Sequence, residues 1–242
     1  MRYKCICSYD GSSFYGFQIQ NNYETIQKEI ERVLKVINKE EITIHPAGRT
    51  DKGVHARAQV FHFDANININ PNKFKETINR RINKAIYIES LEEVEADFHS
   101  RKDSKSREYH YLINFGKYDP LLQNYQLFID PNHVDIPIFM DAFSIFVGEH
   151  DFRSFTKSTN KENTVRTIYS IDFEIKETLL TIKIHGNGFL HNQVRILVAM
   201  ALEVGMGKLS KKDLKAILGA RNRVFAPKIV AASGLYLFRV NY

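Results

Sequence analysis

The sequence contains no tryptophan, only two cysteines and no long apolar run. Cys5 and Cys7 are separated by a single residue, a spacing that suits neither a disulfide framework nor a four-ligand zinc site. We expect both to be buried on one face of a strand. The longest apolar run, residues 196–202, is too short to span a bilayer, and no signal-like apolar segment follows Met1. These absences predict a cytoplasmic protein without a membrane span.

Several signatures of catalysis and cofactor binding are missing as well. The sequence has no Walker-type Gly-x-x-x-x-Gly-Lys motif and no complete Gly-x-Gly-x-x-Gly motif. Its 9 histidines include no His-Glu-x-x-His pair, and it has neither a Gly-x-Ser-x-Gly elbow nor an acid-rich cluster. These absences argue against nucleotide chemistry, zinc chemistry and a nucleophilic serine, and we expect no metal site.

What the sequence does contain is a globular composition with a basic excess. Its 34 Lys and Arg against 28 Asp and Glu give a formal net charge of +6, and 43% of the residues are hydrophobic. This composition excludes collagen-like and disordered chains. A length of 242 residues suffices for two lobes, each with its own core. The positive charge favours a polyanionic partner, although many ordinary enzymes share it.

Hydrophobic periodicity predicts strands and helices in alternation over the first 105 residues. Thr25 stands where it can cap a helix whose apolar residues, from Ile26 to Ile37, recur at helical spacing. Pro71 begins a second helix. Strands are predicted over residues 3–9, 42–45, 59–64 and 86–90.

The second half of the chain shows a similar order of elements. A strand places Tyr109 and Tyr111 on one face. Ser210 and Asp213 form a capping box for a helix. Helices are also predicted over about 137–147 and 190–204, a hairpin over 165–176 and 179–185, and a last strand over 235–240.

Neighbouring strands joined by short turns favour antiparallel pairing. We therefore predict an α+β fold made of two sheet-and-helix lobes with mainly antiparallel sheets. The N-terminal α/β lobe comprises residues 1–105, and the C-terminal α/β lobe comprises residues 106–242.

The most distinctive segment is a polar, glycine-punctuated stretch between two predicted strands. It reads AGRTDKGVHA over residues 47–56 and surrounds Asp51 with Arg49, Lys52, His55 and the nearby Arg57. Neighbouring cations favour an ionised carboxylate, which suits a nucleophile or a base rather than a proton donor. The competing interpretation is a charged surface turn with a local Asp–Arg pair, and composition alone favours it.

Further motifs stand before and after this segment. In chain order they are YDGSSFYGFQIQ at 9–20, AGRTDKGVHA at 47–56, QVFHF at 59–63, FHSR at 98–101, REYHY at 107–111, GEHDFRSF at 148–155, GFLHNQVR at 188–195 and the segment 226–235. By these motifs, and by their order over essentially the whole chain, the sequence resembles the tRNA pseudouridine synthases of the TruA family. The resemblance implies a pseudouridine synthase fold, in which the first lobe carries the catalytic aspartate loop and the second completes the active-site cleft.

The resemblance also implies an activity. Members of this family isomerise uridine to pseudouridine in the anticodon stem-loop of tRNA, at positions 38–40, and consume no cofactor. Asp51 is implied as the essential catalytic aspartate, acting as nucleophile or as base. A single carboxylate is sufficient because this isomerisation must exclude water, whereas glycoside hydrolysis needs a second carboxylate to activate water.

Three further residues are implied to bind the substrate. Arg49 would orient the flipped nucleotide or its phosphate, with a structural ion pair as the competing interpretation. Tyr109 would stack on the target base and handle a proton, whereas a Tyr in an alternating strand is usually a core residue. Arg195 would pair with the aspartate, and an Arg in so apolar a helix needs a carboxylate in either case.

Clusters of basic residues are candidate contacts to the RNA backbone, because the cost of base flipping has to be offset by phosphate contacts and stacking. The first candidates are Arg80, Arg81, Lys84, Arg101 and Lys102, and others are Lys105, Arg107, Lys208, Lys211, Lys212 and Lys215. A solvated charged surface is the alternative for each of them. The family further implies a tRNA partner and a homodimer.

Two other functions fit the same fold. One is a catalytically inactive RNA-binding protein or tRNA chaperone, against which Asp51, Tyr109 and Arg195 argue. The other is the same chemistry on another RNA, such as ribosomal RNA.

The chain departs from the family pattern at residues 79–86, which lack the usual Leu-Pro and Asp, and at Glu108, where a basic residue is frequent. These departures concern RNA docking more than the chemistry.

Overall fold

The computed structural model describes residues 1–66, 69–157 and 162–242. Within these residues the strands are β1 Arg2–Tyr9, β2 His45–Pro46, β3 His55–Asp64, β4 Ile86–Val94, β5 Ser106–Asn114, β6 Leu127–Phe128, β7 Gly148–Asp151, β8 Val165–Lys176, β9 Leu179–Gly186 and β10 Leu235–Asn241. The helices are α1 Ile26–Asn38, α2 Pro71–Arg81, α3 Ile136–Ala142, α4 Gln193–Gly205 and α5 Lys211–Ala220. Short 3₁₀ turns lie at Gly11–Ser13, Pro131–His133, Phe143–Phe146, Arg153–Phe155 and Arg223–Phe225.

The chain forms two compact units. The first comprises Met1–Lys105 together with Tyr236–Tyr242, and the second comprises Ser106–Leu235. The last strand was expected in the second lobe, but its residues group with the first unit. The reason is local pairing: Tyr236 pairs in parallel with His55, and the carbonyl oxygen of Asn241 accepts a hydrogen bond from the backbone N–H of Lys105 at 2.8 Å.

The sheet of the first unit has the strand order β4-β1-β3-β10, with β2 also paired to β3. Strand β1 is antiparallel to both β3 and β4. Its alternating pattern buries Cys5 and Cys7 completely as free thiols, which confirms that prediction. Helix α2 packs against this sheet through Phe74, whose ring meets the ring of Tyr3 edge-on at 5.7 Å.

Helix α1 begins and ends as its sequence predicts. The Thr25 hydroxyl accepts a hydrogen bond from the backbone N–H of Lys28 at the N-terminus. The apolar residues on one side of the helix are buried. At the C-terminus Lys39 adopts a left-handed conformation with φ of +61°, which ends the helix.

The sheet of the second unit has the order β5-β9-β8-β7, with β6 paired to β5. The β8–β9 hairpin and the α5 capping box, in which Ser210 and Asp213 bond each other's backbone N–H groups, confirm the predictions. Strand β5 buries Tyr109 and Tyr111, and helix α4 is buried almost throughout. The fold is α+β with mainly antiparallel sheets, as predicted, although β3 pairs in parallel with β10 and β5 pairs in parallel with β6. In the part of the chain that is described, no helix is long and apolar enough to cross a membrane.

Several predicted elements were wrong in extent. A strand was predicted over 42–45, but only His45–Pro46 pairs with β3. The backbone of Ile44 instead forms hydrogen bonds with two side chains of α1. Its N–H donates to Glu31 Oε1 at 3.0 Å, and its carbonyl accepts from Gln27 Nε2 at 3.4 Å.

The observed bounds of four other elements also differ from the predicted ones. Strand β3 begins earlier than predicted, at His55, and β4 continues to Val94. The helix predicted over 137–147 stops at Ala142 and continues as a 3₁₀ turn. Helix α4 begins at Gln193 rather than at residue 190, because Asn192 has a φ of +62° that a helix interior does not accept.

Candidate active site

Asp51 lies in the segment of residues 47–56, here called the Asp51 loop, which runs from the end of β2 to the first two residues of β3. The backbone N–H of Val54 donates to the carbonyl of Asp51 at 3.1 Å, closing a four-residue turn. Its third position is Gly53 with φ of +79°, the left-handed conformation that a type II turn requires there. The backbone that carries the half-buried Asp51 side chain is therefore fixed by a hydrogen-bonded turn.

The segment that follows β1, residues 10–20, packs directly against the Asp51 loop. Gly16 has φ of +90°, and a Cβ on it would lie 2.9 Å from the carbonyl oxygen of Thr50 and 3.2 Å from the backbone nitrogen of Lys52. The backbone N–H of Phe17 donates to the same Thr50 carbonyl at 3.0 Å. Two motifs that are separated in the sequence thus meet at the residues on either side of Asp51.

The side chain of Thr50 also fixes the loop. Its hydroxyl oxygen lies 2.7 Å from the phenol oxygen of Tyr9, and both residues are buried. Both residues belong to motifs in the sequence, but the sequence analysis assigned neither of them a role. The position of Thr50 directly before Asp51 could have indicated a supporting role for Thr50. The role of Tyr9 becomes visible only in the fold, where β1 lies beside the loop.

His55, which follows the turn of the Asp51 loop, is buried on β3. Its Nδ1 lies 3.1 Å from the backbone nitrogen of Gly11, which donates to it, and 3.3 Å from Oδ1 of Asp10. Its ring stacks on the ring of Tyr236 at 4.7 Å. The contacts of His55 therefore tie the loop to the segment that follows β1 and to β10.

Arg49 and Lys52 retain the cationic role. Both are exposed, and across residues 1–66, 69–157 and 162–242 the Arg49 guanidinium makes no hydrogen bond or ion pair. The structural ion pair considered for Arg49 is thus not formed within the described residues. Lys52 places its ammonium nitrogen 3.7 Å from the centre of the Tyr15 ring, which fixes its position by a cation–π contact.

In the second unit, Tyr109 lies on β5 opposite Ile184 of β9. It is only 9% exposed, and its ring meets the ring of Phe189 edge-on, with 5.1 Å between the centres. The motif 188–195 therefore orients the ring through Phe189.

Two arginines lie beside the same motif. A Cβ on Gly188 would stand 3.5 Å from Nη1 of Arg107 and 3.8 Å from Nε of Arg166. Burial, together with the neighbouring charge of Arg107, lowers the pKa of Arg166. Sequence reasoning did not single out Arg166. The arrangement concentrates positive charge close to the turn that contacts Tyr109, where an anionic group would be stabilised.

Arg195 lies in the first turn of α4 with its guanidinium held in place. Its Nε donates to the carbonyl of Val230 at 2.9 Å, and its Nη1 donates to Oδ1 of Asn192 at 2.9 Å. His191 falls within the helix predicted over about 190–204, but it lies before α4 and is exposed.

The structure thus brings Asp51, Arg49 and Lys52 together with the 9–20 motif in the first unit, and it holds Tyr109 and Arg195 in the second. Arg80 and Arg81 end α2, and Lys84, Arg101 and Lys102 lie in loops of the first unit, all exposed. Nη2 of Arg80 lies 3.5 Å from Oε2 of Glu76, with which it forms an ion pair. Among the described residues, no group of three or more His, Cys, Asp or Glu side chains could hold a metal ion.

Comparison with known proteins identifies the family. A family model described as tRNA pseudouridine synthase matches residues 6–101 and 142–242. The chain is 44% identical to tRNA pseudouridine synthase A of Listeria welshimeri, over all of this chain and 99% of that protein. It is 40% identical to tRNA pseudouridine synthase A of a Geobacillus species, over all of this chain and 98% of that protein.

These matches define an isomerase of the pseudouridine synthase class. The chain belongs to the tRNA pseudouridine synthase family and, within it, to the TruA family. Among solved structures, a chain in the crystal structure of a Cbf5–Nop10–Gar1 complex aligns with a TM-score of 0.35 and 13% identity, covering 82% of this chain and 54% of that chain.

Proposed function

We propose that the protein isomerises uridine to pseudouridine in the anticodon stem-loop of tRNA and that Asp51 is its catalytic residue. The observation that carries the proposal is the support of the Asp51 loop: Tyr9 holds the side chain of Thr50 at 2.7 Å, and Phe17 holds its carbonyl at 3.0 Å. A carboxylate that must meet a reacting carbon needs this kind of fixed backbone, because small displacements of a reacting group reduce the rate strongly.

The reaction breaks the bond between C1′ and N1, turns the detached base and forms the bond between C1′ and C5. N1 gains a proton and C5 loses one, so the product has the same atoms as the substrate. Because no electrons or groups are gained or lost, the reaction consumes no cofactor. Asp51 can act as a nucleophile or as a base, and both roles need an ionised carboxylate.

Three residues are proposed to bind the substrate. Tyr109 offers a ring oriented by Phe189 for stacking on the target base and a hydroxyl for proton handling. Arg195 has a guanidinium held by Val230 and Asn192, so little side-chain freedom is lost when it binds an anionic group. Arg49 is exposed near Asp51 and is suited to a phosphate.

The RNA backbone is proposed to contact Arg80, Arg81, Lys84, Arg101 and Lys102, which are all exposed. The tRNA is proposed to bind a homodimer of this chain in the cytoplasm. The names of the relatives, tRNA pseudouridine synthase A, support tRNA as the substrate.

Pseudouridine mapping at single-nucleotide resolution tests the proposal. Total RNA and unmodified tRNA transcripts are incubated in EDTA with the wild type, with Asp51→Asn and with Asp172→Asn, a matched change at an exposed Asp on β8. We expect anticodon stem-loop signal with the wild type and Asp172→Asn and none with Asp51→Asn, which should still bind tRNA. Retained turnover in Asp51→Asn would overturn the catalytic assignment. Signal confined to ribosomal RNA would change the substrate, and binding without turnover in all proteins would favour a chaperone.

A further inference from the structure

Two tyrosines form an exposed stack in the segment that supports the Asp51 loop. The rings of Tyr15 and Tyr23 lie 4.3 Å apart at an interplanar angle of 24°, and the residues are 41% and 44% exposed. Many aromatic side chains of this chain are buried in the two cores. An offset stack of two rings in solvent therefore stands apart from them, and it offers a flat apolar surface.

The stack is connected to the candidate catalytic residue through Lys52. Its ammonium nitrogen lies 3.7 Å from the centre of the Tyr15 ring. Because Tyr23 already covers one face of that ring, the ammonium has to lie over the opposite face. Lys52, Tyr15 and Tyr23 thus form one continuous arrangement, in which the cation belongs to the residue directly after Asp51.

The backbone holds this segment without help from the Tyr23 ring. The N–H of Tyr15 donates to the carbonyl of Glu24 at 2.9 Å, and the N–H of Ile26 donates to the carbonyl of Gly16 at 3.2 Å. Gln20 Nε2 donates to the carbonyl of Tyr15 at 2.6 Å. Across the described residues, neither phenol oxygen makes a hydrogen bond. The outer face of Tyr23 and its hydroxyl are therefore available to a ligand.

We propose that Tyr23, backed by Tyr15, is a stacking platform for an unpaired nucleobase of the RNA substrate, and that Lys52 supplies positive charge for the neighbouring phosphates. This inference rests on the proposed function, because it assigns the ligand as the RNA that Asp51 acts on. Aromatic faces combined with a nearby cation are how proteins hold unpaired bases without reading their sequence. The platform would hold a base next to the target uridine rather than the target itself, for which Tyr109 is the proposed partner.

The absence of tryptophan from the sequence permits a direct test. Tyr23→Trp creates a protein with a single indole at the platform, and Tyr87→Trp places a single indole on β4 at a tyrosine that is 51% exposed. Each protein is titrated with an unmodified tRNA transcript. We expect the fluorescence of Tyr23→Trp to be quenched, with a midpoint equal to the Kd from filter binding, and that of Tyr87→Trp to stay unchanged.

Two further variants separate stacking from a structural role. Tyr23→Ala should weaken RNA affinity by about 5- to 150-fold, the loss that corresponds to one stacked base, and Tyr23→Phe should restore most of it. A fall in kcat with an unchanged Kd in Tyr23→Ala would overturn the proposal in favour of loop support. Quenching that depends on protein concentration without RNA would also overturn it, in favour of contact between copies of this chain.

The fluorescence titration measures RNA binding at Tyr23 and does not depend on pseudouridine formation. Quenching without pseudouridine formation would contradict the proposed function and leave the platform standing as an RNA contact. Pseudouridine formation without quenching in Tyr23→Trp would overturn the platform and leave the proposed function standing.

Discussion

The phenol oxygen of Tyr9 lies 2.7 Å from the hydroxyl oxygen of Thr50, the residue directly before Asp51. Tyr9 ends β1, which lies between β3 and β4 in its sheet, so this hydrogen bond ties the Asp51 loop to an interior strand. Tyr9 is 5% exposed and Thr50 is 7% exposed. A hydroxyl that loses its partner in such surroundings is desolvated without compensation.

We therefore expect Tyr9→Phe to lower the free energy of unfolding by about 1–2 kcal/mol. It should also reduce kcat and leave the Kd for tRNA unchanged, since it loosens the loop without removing a group that contacts RNA. Urea denaturation, filter binding and single-turnover pseudouridine formation measure these three quantities. Tyr87→Phe, at an exposed position on β4, is the control and should change none of them. A weaker Kd with unchanged kcat in Tyr9→Phe would contradict the expectation.

The close approach of Gly16 to Thr50 gives a second prediction. Gly16→Ala should lower the free energy of unfolding by about 1–3 kcal/mol, because a Cβ is strained at positive φ and meets backbone atoms. Its kcat should fall with it as the loop shifts. The matched control is Gly219→Ala in α5, where nothing lies within 4 Å; this change should raise the free energy of unfolding by about 0.4–1 kcal/mol. Thermal unfolding and activity assays on both variants check the pair, and equal stability of the two would refute the argument.

His62 gives a prediction on pH dependence. Burial, and after it the charges of His45, His99 and Arg2, lower the pKa of His62 to about 4, while Asp64 acts in the opposite sense. The ring is also fixed in the fold, since its Nδ1 lies 3.2 Å from the backbone nitrogen of Ser100 and 2.9 Å from Oγ of the same residue. Because the unfolded chain takes up this proton near pH 6.5, stability is complete above that pH and falls as the pH drops towards 4, by about 3 kcal/mol.

The experiment compares the wild type with His62→Gln, which keeps a polar group at the site without a titrating proton. Urea denaturation at about pH 7 and about pH 4.5 should give a smaller loss of stability in the variant than in the wild type. Identical losses would mean that His62 does not carry the effect.

Tyr109 gives a prediction on chemistry. Tyr109→Phe keeps the ring that meets Phe189 and removes only the hydroxyl. If that hydroxyl handles a proton, kcat should fall by about 10²- to 10⁴-fold with unchanged tRNA affinity. Tyr111→Phe on the same strand is the control: its hydroxyl donates to the Ala231 carbonyl at 2.8 Å, so its loss should reduce stability and leave kcat nearly intact. Full activity of Tyr109→Phe would remove the proton-handling role.

The exposed basic residues give a prediction on salt dependence. Replacing Arg101 and Lys102 together by Ala should reduce the slope of log affinity against log salt by about 0.7–0.9 for each phosphate that these side chains neutralise in the wild type. The control replaces Lys28 and Lys35 of α1, which pair with Glu24 and Glu41, and should leave the slope unchanged. Filter binding over a range of salt concentrations gives both slopes, and a slope that is unaltered in the first variant would exclude Arg101 and Lys102 as phosphate ligands.

The sequence predicted elements whose determinants lie close together in the chain. The Thr25 cap, the Ser210–Asp213 capping box and the β8–β9 hairpin each depend on residues within a few positions of one another. The segment 42–45 failed because a short apolar alternation resembles a strand, whereas the competing partner of Ile44 is the distant side chain of Glu31. The predicted start of α4 was also too early, because the left-handed Asn192 precedes the helix. Asn adopts this conformation more readily than most residues, but its presence alone does not predict a helix start.

In the candidate site, too, the residues identified by local motifs were predicted, whereas their long-range contacts were not. Asp51 and Tyr109 could be named from motifs, but what holds them could not, because Tyr9 and Thr50 are 41 positions apart. The contacts of His55 could not be predicted for a similar reason, because the backbone N–H of Gly11 reaches its ring only after folding. Long-range contacts of single polar atoms leave no pattern in the sequence that periodicity can detect.

The grouping of Tyr236–Tyr242 with the first unit has a consequence for synthesis of the protein. A ribosome produces the chain from the N-terminus, so all of Ser106–Leu235 emerges before the strand that pairs with β3 at His55 and Ala56. The second unit can therefore complete its own contacts during translation, while the unit that carries Asp51 waits for the last residues. A chain released before Tyr236 would lack the strand that pairs with β3, so the unit that carries Asp51 would remain incomplete.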